Sequence, residues 1–496
     1  MKKILVANRG EIALRVMRTA KAMGIKTVAV FSEADRHAKH VRFADEAVLL
    51  GPPPSAQSYL LGDKILDICK ELGVDGIHPG YGFLSENAGF ARKVKEAGIT
   101  FIGPSPEAME VMGSKLGAKD AVKAYGVPMV PGIDKAITDI EESKKIAAEI
   151  GYPILIKASA GGGGKGMRVV NEPSEFEEQM KLAVSEATAS FGDGSVFIEK
   201  YVGSPRHIEI QVLGDNFGNI VYLFERECSI QRRHQKLVEE APSAVLTPEL
   251  RKQMGEAAVN VAKACNYTGA GTVEFLVDEN LNFYFLEMNT RLQVEHPVTE
   301  LICDLDLVKE QIRVAKGEPL GYTQEDLKIN GHSIELRICA EDPANNFLPE
   351  VGTLETYRIP VGEGIRVDDG FEEGVEIPIF YDNMIAKLIV HAESRDAAIA
   401  KMKQAIHQYR IEGLKTTLEF GEFVMDHPAF MEGKFDTKFI EKFFNPENLL
   451  AYDSKEAEVA AMAASLIFRK EKQARVDAEV ERHGESNWRN NRTSRR

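Results

Sequence analysis

The chain of 496 residues is long enough for about three domains, and its 44% of hydrophobic residues can fill sizeable cores. Sixty-one basic and 76 acidic residues leave a net charge of −15, which argues against a general nucleic-acid-binding protein. We find no secretory signal, no apolar run of the roughly 18 residues that a membrane span needs, and only five scattered cysteines, so we expect a cytoplasmic protein without a membrane partner.

The first 114 residues alternate short apolar runs with amphipathic segments. Residues 2–6, 27–31, 73–77 and 99–103 have the composition of buried strands, and a helix with a periodic apolar side ends near Gly24. This rhythm predicts a doubly wound α/β domain with a parallel sheet. A dinucleotide-dependent oxidoreductase would fit this domain alone, but the first turn lacks the Gly-x-Gly-x-x-Gly pattern.

The segment from His78 to Asn87 follows the third of these strands. Such sheets bind ligands at the carboxyl ends of their strands, so the segment is a candidate for ligand contact. A turn that needs its glycines for geometry explains the same residues.

A glycine-rich segment lies between an apolar strand at residues 153–156 and a second strand. The backbone N–H groups of consecutive glycines can approach an anion closely, and Lys157, Lys165 and Arg168 supply positive charge. The glycines are Gly161, Gly162, Gly163, Gly164 and Gly166. A Walker A loop would open a helix, so this pattern predicts instead a flap that covers a phosphate and excludes water. A hairpin tip with solubilising lysines is the alternative.

Residues 225–236 concentrate charged and polar side chains. A strand-like pattern resumes at residue 237, which favours His234 and Lys236 as functional groups. For Arg232 and Arg233, a solvated charge run explains the sequence as well as a binding role does. A buried, inert thiol is the default interpretation for Cys228.

Residues 287–295 carry a polar or charged side chain at every second position. In a strand, alternate side chains point to the same face of the sheet. The sequence therefore predicts one functional face that contains Glu287, Asn289, Arg291, Gln293 and Glu295.

An upstream strand at residues 271–277 can pair with this one as a hairpin. A loop centred between Asn280 and Leu281 would place Glu274 directly opposite Glu287. Two opposed carboxylates repel unless a cation lies between them, and such oxygen ligands suit Mg²⁺ or Mn²⁺ that carries a nucleotide phosphate. A surface hairpin that faces water is the alternative, but the apolar residues of both strands favour a packed sheet.

Residues 331–446 predict an α+β region. Strand-like runs occupy residues 333–338, 353–357 and 384–390, and an amphipathic helix that includes Ile399 and Ile406 is closed by Gly413. In residues 447–496, Asp453 and Glu456 form a capping-box pattern for a helix that continues to Gly484. The last eight residues predict a disordered or partner-dependent end.

Five ordered motifs together resemble the biotin carboxylase family, a branch of the ATP-grasp superfamily, over residues 1–445. They are residues 7–13, residues 78–87, the glycine flap, residues 232–236 and residues 287–297. The resemblance implies an α/β domain at residues 1–114, an ATP-grasp domain at 115–330 with a lid at about 130–203, an α+β domain at 331–446 and a tail at 447–496.

The resemblance implies a reaction as well. Bicarbonate would attack the γ-phosphate of ATP, with two Mg²⁺ or Mn²⁺ ions bound, to give ADP and carboxyphosphate. The CO₂ of carboxyphosphate would then pass to N1 of biotin, as the first half-reaction of a multi-subunit biotin-dependent carboxylase.

Roles of individual residues follow from the same resemblance. The ATP site would comprise Lys115, Lys157, Lys236 and the glycine flap at the phosphates, Glu199, Lys200 and Val202 at the adenine, and His207, Gln231 and His234 around the ribose. Met167 would also contact ATP. The metal ligands would be Glu274, Glu287 and Asn289, which adjoin ATP. Bicarbonate would be held by Arg291, Gln293 and the backbone of Val294, and Arg337 would stabilise the enolate form of biotin. Glu295 would remove the proton of bicarbonate, kept ionised by nearby Arg291.

The chain has no Ala-Met-Lys-Met segment of the kind that carries biotin. We therefore expect a separate biotin carboxyl carrier protein and a carboxyltransferase subunit, with the tail from residue 453 helping to dock them, and the family suggests a homodimer. A related ATP-grasp ligase that forms carbamoyl phosphate or carboxylates a purine precursor is an alternative, against which residues 78–87 and 232–236 argue. A regulatory subunit without turnover is another, and the intact Glu274, Glu295 and Arg337 argue against it.

Overall fold

The structure is a computed structural model that describes residues 1–133, 137, 139–158, 167–191, 194–450, 459 and 461–470. Residues Met1–Phe444 form one compact unit, and Asn445–Arg496 belong to a second. No helix in the described part of the chain is long and apolar enough to cross a membrane.

The N-terminal part of the first unit is a five-stranded parallel sheet with the strand order β3-β2-β1-β4-β5. Its elements are β1 (Lys3–Val6), α1 (Gly10–Ala22), β2 (Lys26–Ser32), α2 (Lys39–Phe43), β3 (Glu46–Gly51), α3 (Gly62–Leu72), β4 (Gly76–His78), α4 (Ala88–Glu96), β5 (Thr100–Phe101) and α5 (Pro106–Gly113). Alternate residues of β1 enter two apolar clusters on opposite faces, with Ile4 and Val6 in one and Leu5 in the other. The predicted doubly wound domain is confirmed. The sequence analysis omitted β3, an edge strand whose side chains are mostly only partly buried.

The next segment forms a small three-stranded sheet with the order β7-β6-β8, in which neighbours are antiparallel. Its elements are α6 (Lys115–Lys123), α7 (Ile140–Ile150), β6 (Ile154–Ala158), β7 (Met167–Val170), α8 (Phe176–Phe191) and β8 (Val196–Lys200). Ile154, Ile156 and Ile198 pack in one cluster with Ala147 of α7 and Met180 of α8. The glycine segment thus connects two antiparallel strands as predicted, while Gly161–Gly166 themselves lie outside the described residues.

An eight-stranded sheet follows, in the order β13-β12-β9-β10-β11-β14-β19-β18. Its first elements in the chain are β9 (Arg206–Gly214), β10 (Ile220–Arg232), β11 (Gln235–Ala241), α9 (Pro248–Ala264), β12 (Gly269–Val277), β13 (Phe283–Asn289), α10 (His296–Cys303) and α11 (Leu307–Ala315). Helix α9 covers β9 and β10, and α10 packs against β10, β11, β14 and β19.

The same sheet continues into the C-terminal part, because β14 pairs antiparallel with β11. The elements here are β14 (His332–Cys339), β15 (Glu341–Asp342), β16 (Leu348–Pro349), β17 (Thr356–Arg358), β18 (Ile365–Asp369), β19 (Met384–Ala392), α12 (Arg395–Gln408), β20 (Arg410–Glu412), α13 (Leu418–Asp426), α14 (Pro428–Met431) and α15 (Phe439–Phe443), with α16 (Glu447–Leu450) in the second unit. Leu336, Leu388 and Met402 share one apolar cluster, which attaches α12 to the sheet. The boundary predicted at residue 330 therefore does not interrupt the sheet.

Two boundaries of the C-terminal part differ from the predictions. The strand expected at residues 353–357 is only β17, which begins at Thr356. The helix expected to be closed by Gly413 ends at Gln408, because residues 410–412 pair with β17 instead. In the tail, Asp453, Glu456 and Gly484 lie outside the described residues, and residues 461–470 are helical.

Candidate active site

A row of charged side chains crosses the eight-stranded sheet. Glu287 of β13 lies opposite Glu274 of β12, Glu274 lies opposite Glu209 of β9, and Glu209 lies opposite Arg226 of β10. Directly opposed residues of antiparallel strands project to the same face, so the three carboxylates share one surface. The predicted opposition of Glu274 and Glu287 is confirmed.

The turn that produces this opposition differs from the prediction. The pairing shifts between Glu274/Glu287 and Phe275/Phe285, which leaves Leu286 as an extra residue, a β-bulge. The loop is accordingly centred on Asn280, with hydrogen bonds between Asp278 and Asn282 closing it. The predicted loop centre was half a residue too far along the chain. The extra residue Leu286 offsets this error, so Glu274 still lies opposite Glu287.

The single strand face predicted for residues 287–295 is wrong beyond Asn289, where β13 ends. Thr290 donates its backbone N–H to Glu86 at 3.0 Å rather than to a neighbouring strand, and Glu295 directly precedes α10. Pro297 near the start of α10 suits a helix N-terminus and cannot continue a strand ladder. Arg291, Gln293 and Glu295 are therefore positioned by separate contacts and not by strand periodicity.

Lys236 is the central cation of the site. Its buried Nζ lies 2.5 Å from Glu209, 3.0 Å from Glu274 and 2.6 Å from Glu295. Burial opposes the charge of Lys236, but these three carboxylates outweigh it and raise its pKa well above the usual value. The pairing between β10 and β11 shifts by one residue at Leu237, a bulge that places Lys236 on the same face as Glu239.

Glu274 is held by four side chains. It accepts hydrogen bonds from Asn289 at 2.9 Å, Gln293 at 2.7 Å and Lys236 at 3.0 Å, and His207 lies 3.0 Å away. Burial favours its neutral form, but Lys236 and His207 outweigh burial and lower its pKa. An ionised carboxylate beside an amide and a second carboxylate is a donor set that suits Mg²⁺ or Mn²⁺. The residues present therefore fit the implied metal.

Glu295 lies between two cations. Lys236 contacts one of its oxygens, and Nη2 of Arg337 contacts the other at 3.0 Å. Burial would favour the neutral acid, but Lys236, Arg337 and Arg226 outweigh it and hold the pKa of Glu295 well below its usual range. Arg291, predicted from the sequence to keep Glu295 ionised, is not one of these cations.

Arg291 is held instead by a residue of the N-terminal domain. Its Nε donates to Glu86 at 2.9 Å and its Nη2 donates to Oδ1 of Asn289 at 3.0 Å. Glu86 follows β4, so the segment from His78 to Asn87 does reach the site, as its place after a parallel strand suggested. The backbone carbonyl of Val294, three residues after Arg291, accepts a hydrogen bond from the buried Lys387 at 2.7 Å.

The predicted phosphate and adenine residues gather at the small sheet. Lys157 of β6 lies 2.5 Å from Glu199 of β8, and the same carboxylate binds Lys119 of α6 at 2.5 Å. Lys200 donates to the carbonyls of Gly151 and Tyr152, at 2.8 and 3.0 Å, so its amine is engaged with the backbone. Met167 is the exposed first residue of β7, Val202 is half-buried after β8, and Lys115 begins α6.

The turn between β10 and β11 carries the other candidates. His234 is exposed in this turn, and Gln231 lies opposite Lys236. Arg232 donates to the carbonyl of Asn346 and stacks 4.9 Å from the centroid of the Phe347 ring. A structural role therefore explains Arg232, while Arg233 is exposed at the tip.

Several buried residues of the site were missed by sequence analysis. They are Glu209, Arg226, Glu239, Glu335 and Lys387. Each lies in a strand of the eight-stranded sheet, and for Glu209, Glu335 and Lys387 a charged residue between two apolar neighbours was the available signal. Their partners come from other strands and from α10, so the sequence alone could not pair them.

Three family sequence models match consecutive parts of the chain. They are the biotin carboxylase N-terminal domain at residues 1–109, the carbamoyl-phosphate synthase L chain ATP-binding domain at 114–323 and the biotin carboxylase C-terminal domain at 335–442. The order of the three matches, together with the parallel N-terminal sheet, defines a three-domain ATP-grasp enzyme.

Curated relatives match most of the chain. Biotin carboxylase 1 of Bacillus subtilis is 52% identical over 444 residues, which cover 89% of this chain and 99% of the relative. The 2-oxoglutarate carboxylase small subunit of Hydrogenobacter thermophilus is 50% identical over 463 residues, 93% of this chain and 98% of the relative.

Solved structures agree with these matches. The biotin carboxylase domain dimer of Hydrogenobacter thermophilus 2-oxoglutarate carboxylase, in complex with MgADP, ADP and bicarbonate, is 50% identical, with a TM-score of 0.85 and coverage of 91% of this chain and 99% of that one. A biotin carboxylase–ATP complex from Campylobacter jejuni is 48% identical, with a TM-score of 0.85 and coverage of 89% and 98%. The chain belongs to the biotin carboxylase family. It is an ATP-dependent ligase that carboxylates biotin, the first half-reaction of biotin-dependent carboxylases.

Proposed function

We propose that Glu295 is the base that removes the proton of bicarbonate, and that Arg291, Gln293 and the backbone of Val294 hold this substrate. The observation that carries the proposal is the position of Glu295 between Lys236 and Arg337, at 2.6 and 3.0 Å. These cations keep the carboxylate ionised, which a base requires. Deprotonated bicarbonate is the stronger nucleophile towards the γ-phosphate of ATP.

Glu274, Glu287 and Asn289 would hold the metal ions that accompany ATP. In the structure, Lys236 and His207 provide the positive charge next to Glu274. A bound Mg²⁺ would neutralise charge that develops on the phosphate oxygens. The opposition of Glu274 and Glu287 across the strands supports this assignment.

Lys157 would bind the phosphates, together with Lys115, Lys236 and the flap of residues 161–166. Lys157 shares the carboxylate of Glu199 with Lys119, so a polyphosphate can attract Lys157 while Lys119 still neutralises Glu199. We place the adenine near Glu199, Lys200, Val202 and Met167, and the ribose near His207, Gln231 and His234. The flap would exclude water from carboxyphosphate.

Arg337 would stabilise the enolate form of biotin. The ureido nitrogen of biotin is a very weak acid, and a guanidinium beside the ureido oxygen lowers the cost of removing its proton. Arg337 is partly buried and held by Glu239 at 2.7 Å and Glu295 at 3.0 Å, so its charge is already oriented before biotin arrives.

The test of this function is the release of ADP by the full chain. We expect the release to require bicarbonate and to rise when free biotin is added. Ammonia in place of biotin should not raise the release of ADP. It would do so if the chain catalysed the alternative ATP-grasp reaction, which forms carbamoyl phosphate. ADP release that is stimulated by ammonia, or that does not require bicarbonate, would contradict the assignment.

A separate carrier protein would present biotin, and a carboxyltransferase subunit would take the carboxyl group onward. The names of two relatives support this proposal. One is called the small subunit of a carboxylase and the other is called biotin carboxylase alone, and the matches cover 98% and 99% of these relatives. We also propose a homodimer, as found for the Hydrogenobacter domain, and a cytoplasmic location, which five free thiols support.

The tail would dock these partners. The helical residues 461–470 expose more than half of Met462, Leu466, Ile467 and Phe468, an unusual concentration of apolar surface. Deletion of residues 447–496 should weaken assembly with the carrier and carboxyltransferase by about ten-fold or more, measured by co-purification and titration. ADP release with free biotin should not change.

A matched pair of substitutions separates docking from general effects. Leu466→Asp should weaken assembly, whereas Ser465→Asp, one residue earlier in the same helix, should not. If the deleted chain assembles as well as the full chain, the docking proposal is wrong.

A further inference from the structure

Two buried carboxylates beside Arg337 have oxygens without a hydrogen-bond donor. Both oxygens of Glu335 and Oε2 of Glu239 have no partner among the described residues, and both side chains are completely buried. Buried acceptors without donors are rare, because each loses its hydration without compensation. These three oxygens therefore need a hydrogen-bond donor, and the described side chains of the neighbouring strands do not provide one.

The two carboxylates lie directly opposite each other. Glu239 of β11 pairs with Glu335 of β14 in an antiparallel register, so both project to the face that α10 covers. Two ionised carboxylates in this position, both shielded from solvent, would repel each other. A single proton between them removes the repulsion and supplies the missing donor.

We propose that Glu335 is a neutral carboxylic acid that donates a hydrogen bond to Glu239, and that this pair positions Arg337 for biotin. Oε1 of Glu239 already accepts from Nε of Arg337 at 2.7 Å, so the bond from Glu335 would hold the second oxygen of the same carboxylate. Glu239 is then fixed at both oxygens. Arg337 in turn keeps its Nη2 directed at Glu295.

The charges around the pair agree with one shared proton. Lys236 and Arg337 approach from β11 and β14, Lys387 from β19 and Glu295 from the start of α10. Burial raises the pKa of Glu335 well above its usual value, although Lys387 opposes the rise. Burial also raises the pKa of Glu239, to about 7, although Arg337 opposes that rise. Glu239 already binds the Arg337 guanidinium, whereas neither oxygen of Glu335 has a donor, so the proton belongs on Glu335.

The test compares two replacements of Glu335. Glutamine is neutral and keeps a donor, so Glu335→Gln should retain kcat for biotin-dependent ADP release within about three-fold. Methionine has a similar length but no donor, so Glu335→Met should lower kcat by about ten-fold or more, with little change in the KM for ATP. Equal losses in the two variants, or no loss in Glu335→Met, would overturn the proposal.

Infrared spectroscopy of the full chain gives a readout that does not depend on activity. At neutral pH the wild-type protein should show the carbonyl stretch of a protonated carboxylic acid, and this band should be weaker in Glu335→Gln by the contribution of one group. Glu310→Gln is the control, because Glu310 is also buried but accepts from Arg313 at 3.0 Å and Tyr322 at 3.1 Å, and this variant should keep the band. If the band is equally strong in the wild-type protein and in Glu335→Gln, Glu335 is ionised and the proposal is overturned.

This inference rests on the proposed role of Arg337, but the two can fail separately. If Arg337→Met retains biotin-dependent ADP release, the role of Arg337 is wrong. If the wild-type protein depends on biotin and the Glu335 variants behave alike, only the carboxyl pair is wrong.

Discussion

Replacement of Glu295 by glutamine should reduce bicarbonate-dependent ADP release by roughly three orders of magnitude, the range expected when a general base is removed. Glutamine has nearly the same shape but cannot accept a proton from bicarbonate. Lys236 keeps its contacts with Glu209 and Glu274, so the phosphate side of the site should remain intact. The affinity for ATP, measured by equilibrium titration, should therefore change little.

The control for this prediction is Glu393→Gln, which makes the same chemical change at an exposed position after β19. It should leave both the rate and the affinity unchanged. If Glu295→Gln loses affinity for ATP in parallel with the rate, Glu295 has a structural role and the proposed base must be sought elsewhere.

The second large effect is expected at Arg226. This fully buried guanidinium donates to Glu209, to Gln211 at 2.7 Å, to Gln293 at 2.8 Å, and to the hydroxyls of Thr299 and Thr272 at 2.9 and 3.0 Å. Arg226→Met would remove this donor from all five buried acceptors, of which Glu209 would keep its contact with Lys236. We expect a loss of about 3–5 kcal/mol in the free energy of unfolding, the usual result of removing one partner from a buried ion pair.

Chemical denaturation or the thermal midpoint would measure this loss. Arg410→Met is the control, because Arg410 is largely exposed and pairs with Glu412 at the surface. That change should stay within about 0.5 kcal/mol of the wild-type value. A small effect at Arg226 would mean that the acceptors find other donors, and the site would then be less dependent on this cation than its contacts indicate.

The architecture and the family could be predicted from sequence because local patterns report them directly. The apolar runs of the first 114 residues determine a parallel sheet whatever the partners of each strand, and the ordered motifs depend only on position along the chain. The opposition of Glu274 and Glu287 was also accessible, since the two strands are separated by one short loop. The position of that loop was wrong by half a residue, and the bulge at Leu286 concealed the error.

The contacts of Glu295 could not be predicted in the same way. The sequence suggested that a strand would place it beside Arg291, but β13 ends at Asn289 and Glu295 instead meets Lys236 and Arg337. Lys236 reaches this position through a bulge at Leu237, and Arg337 comes from a strand that lies 42 residues further along the chain. Neither feature leaves a periodic signal in the sequence.

Local pattern thus accounts for the kinds of strands and helices, for the acidic hairpin and for the family to which the chain belongs. The folded arrangement was needed to learn which charges meet: Glu86 with Arg291, Lys387 with Val294, and Glu239 with Arg337 and Glu335. The physical reason is that ion pairs and shared protons depend on distances between strands distant in sequence. Such distances are set by sheet order, bulges and the packing of α10, and not by the residues next to each charge.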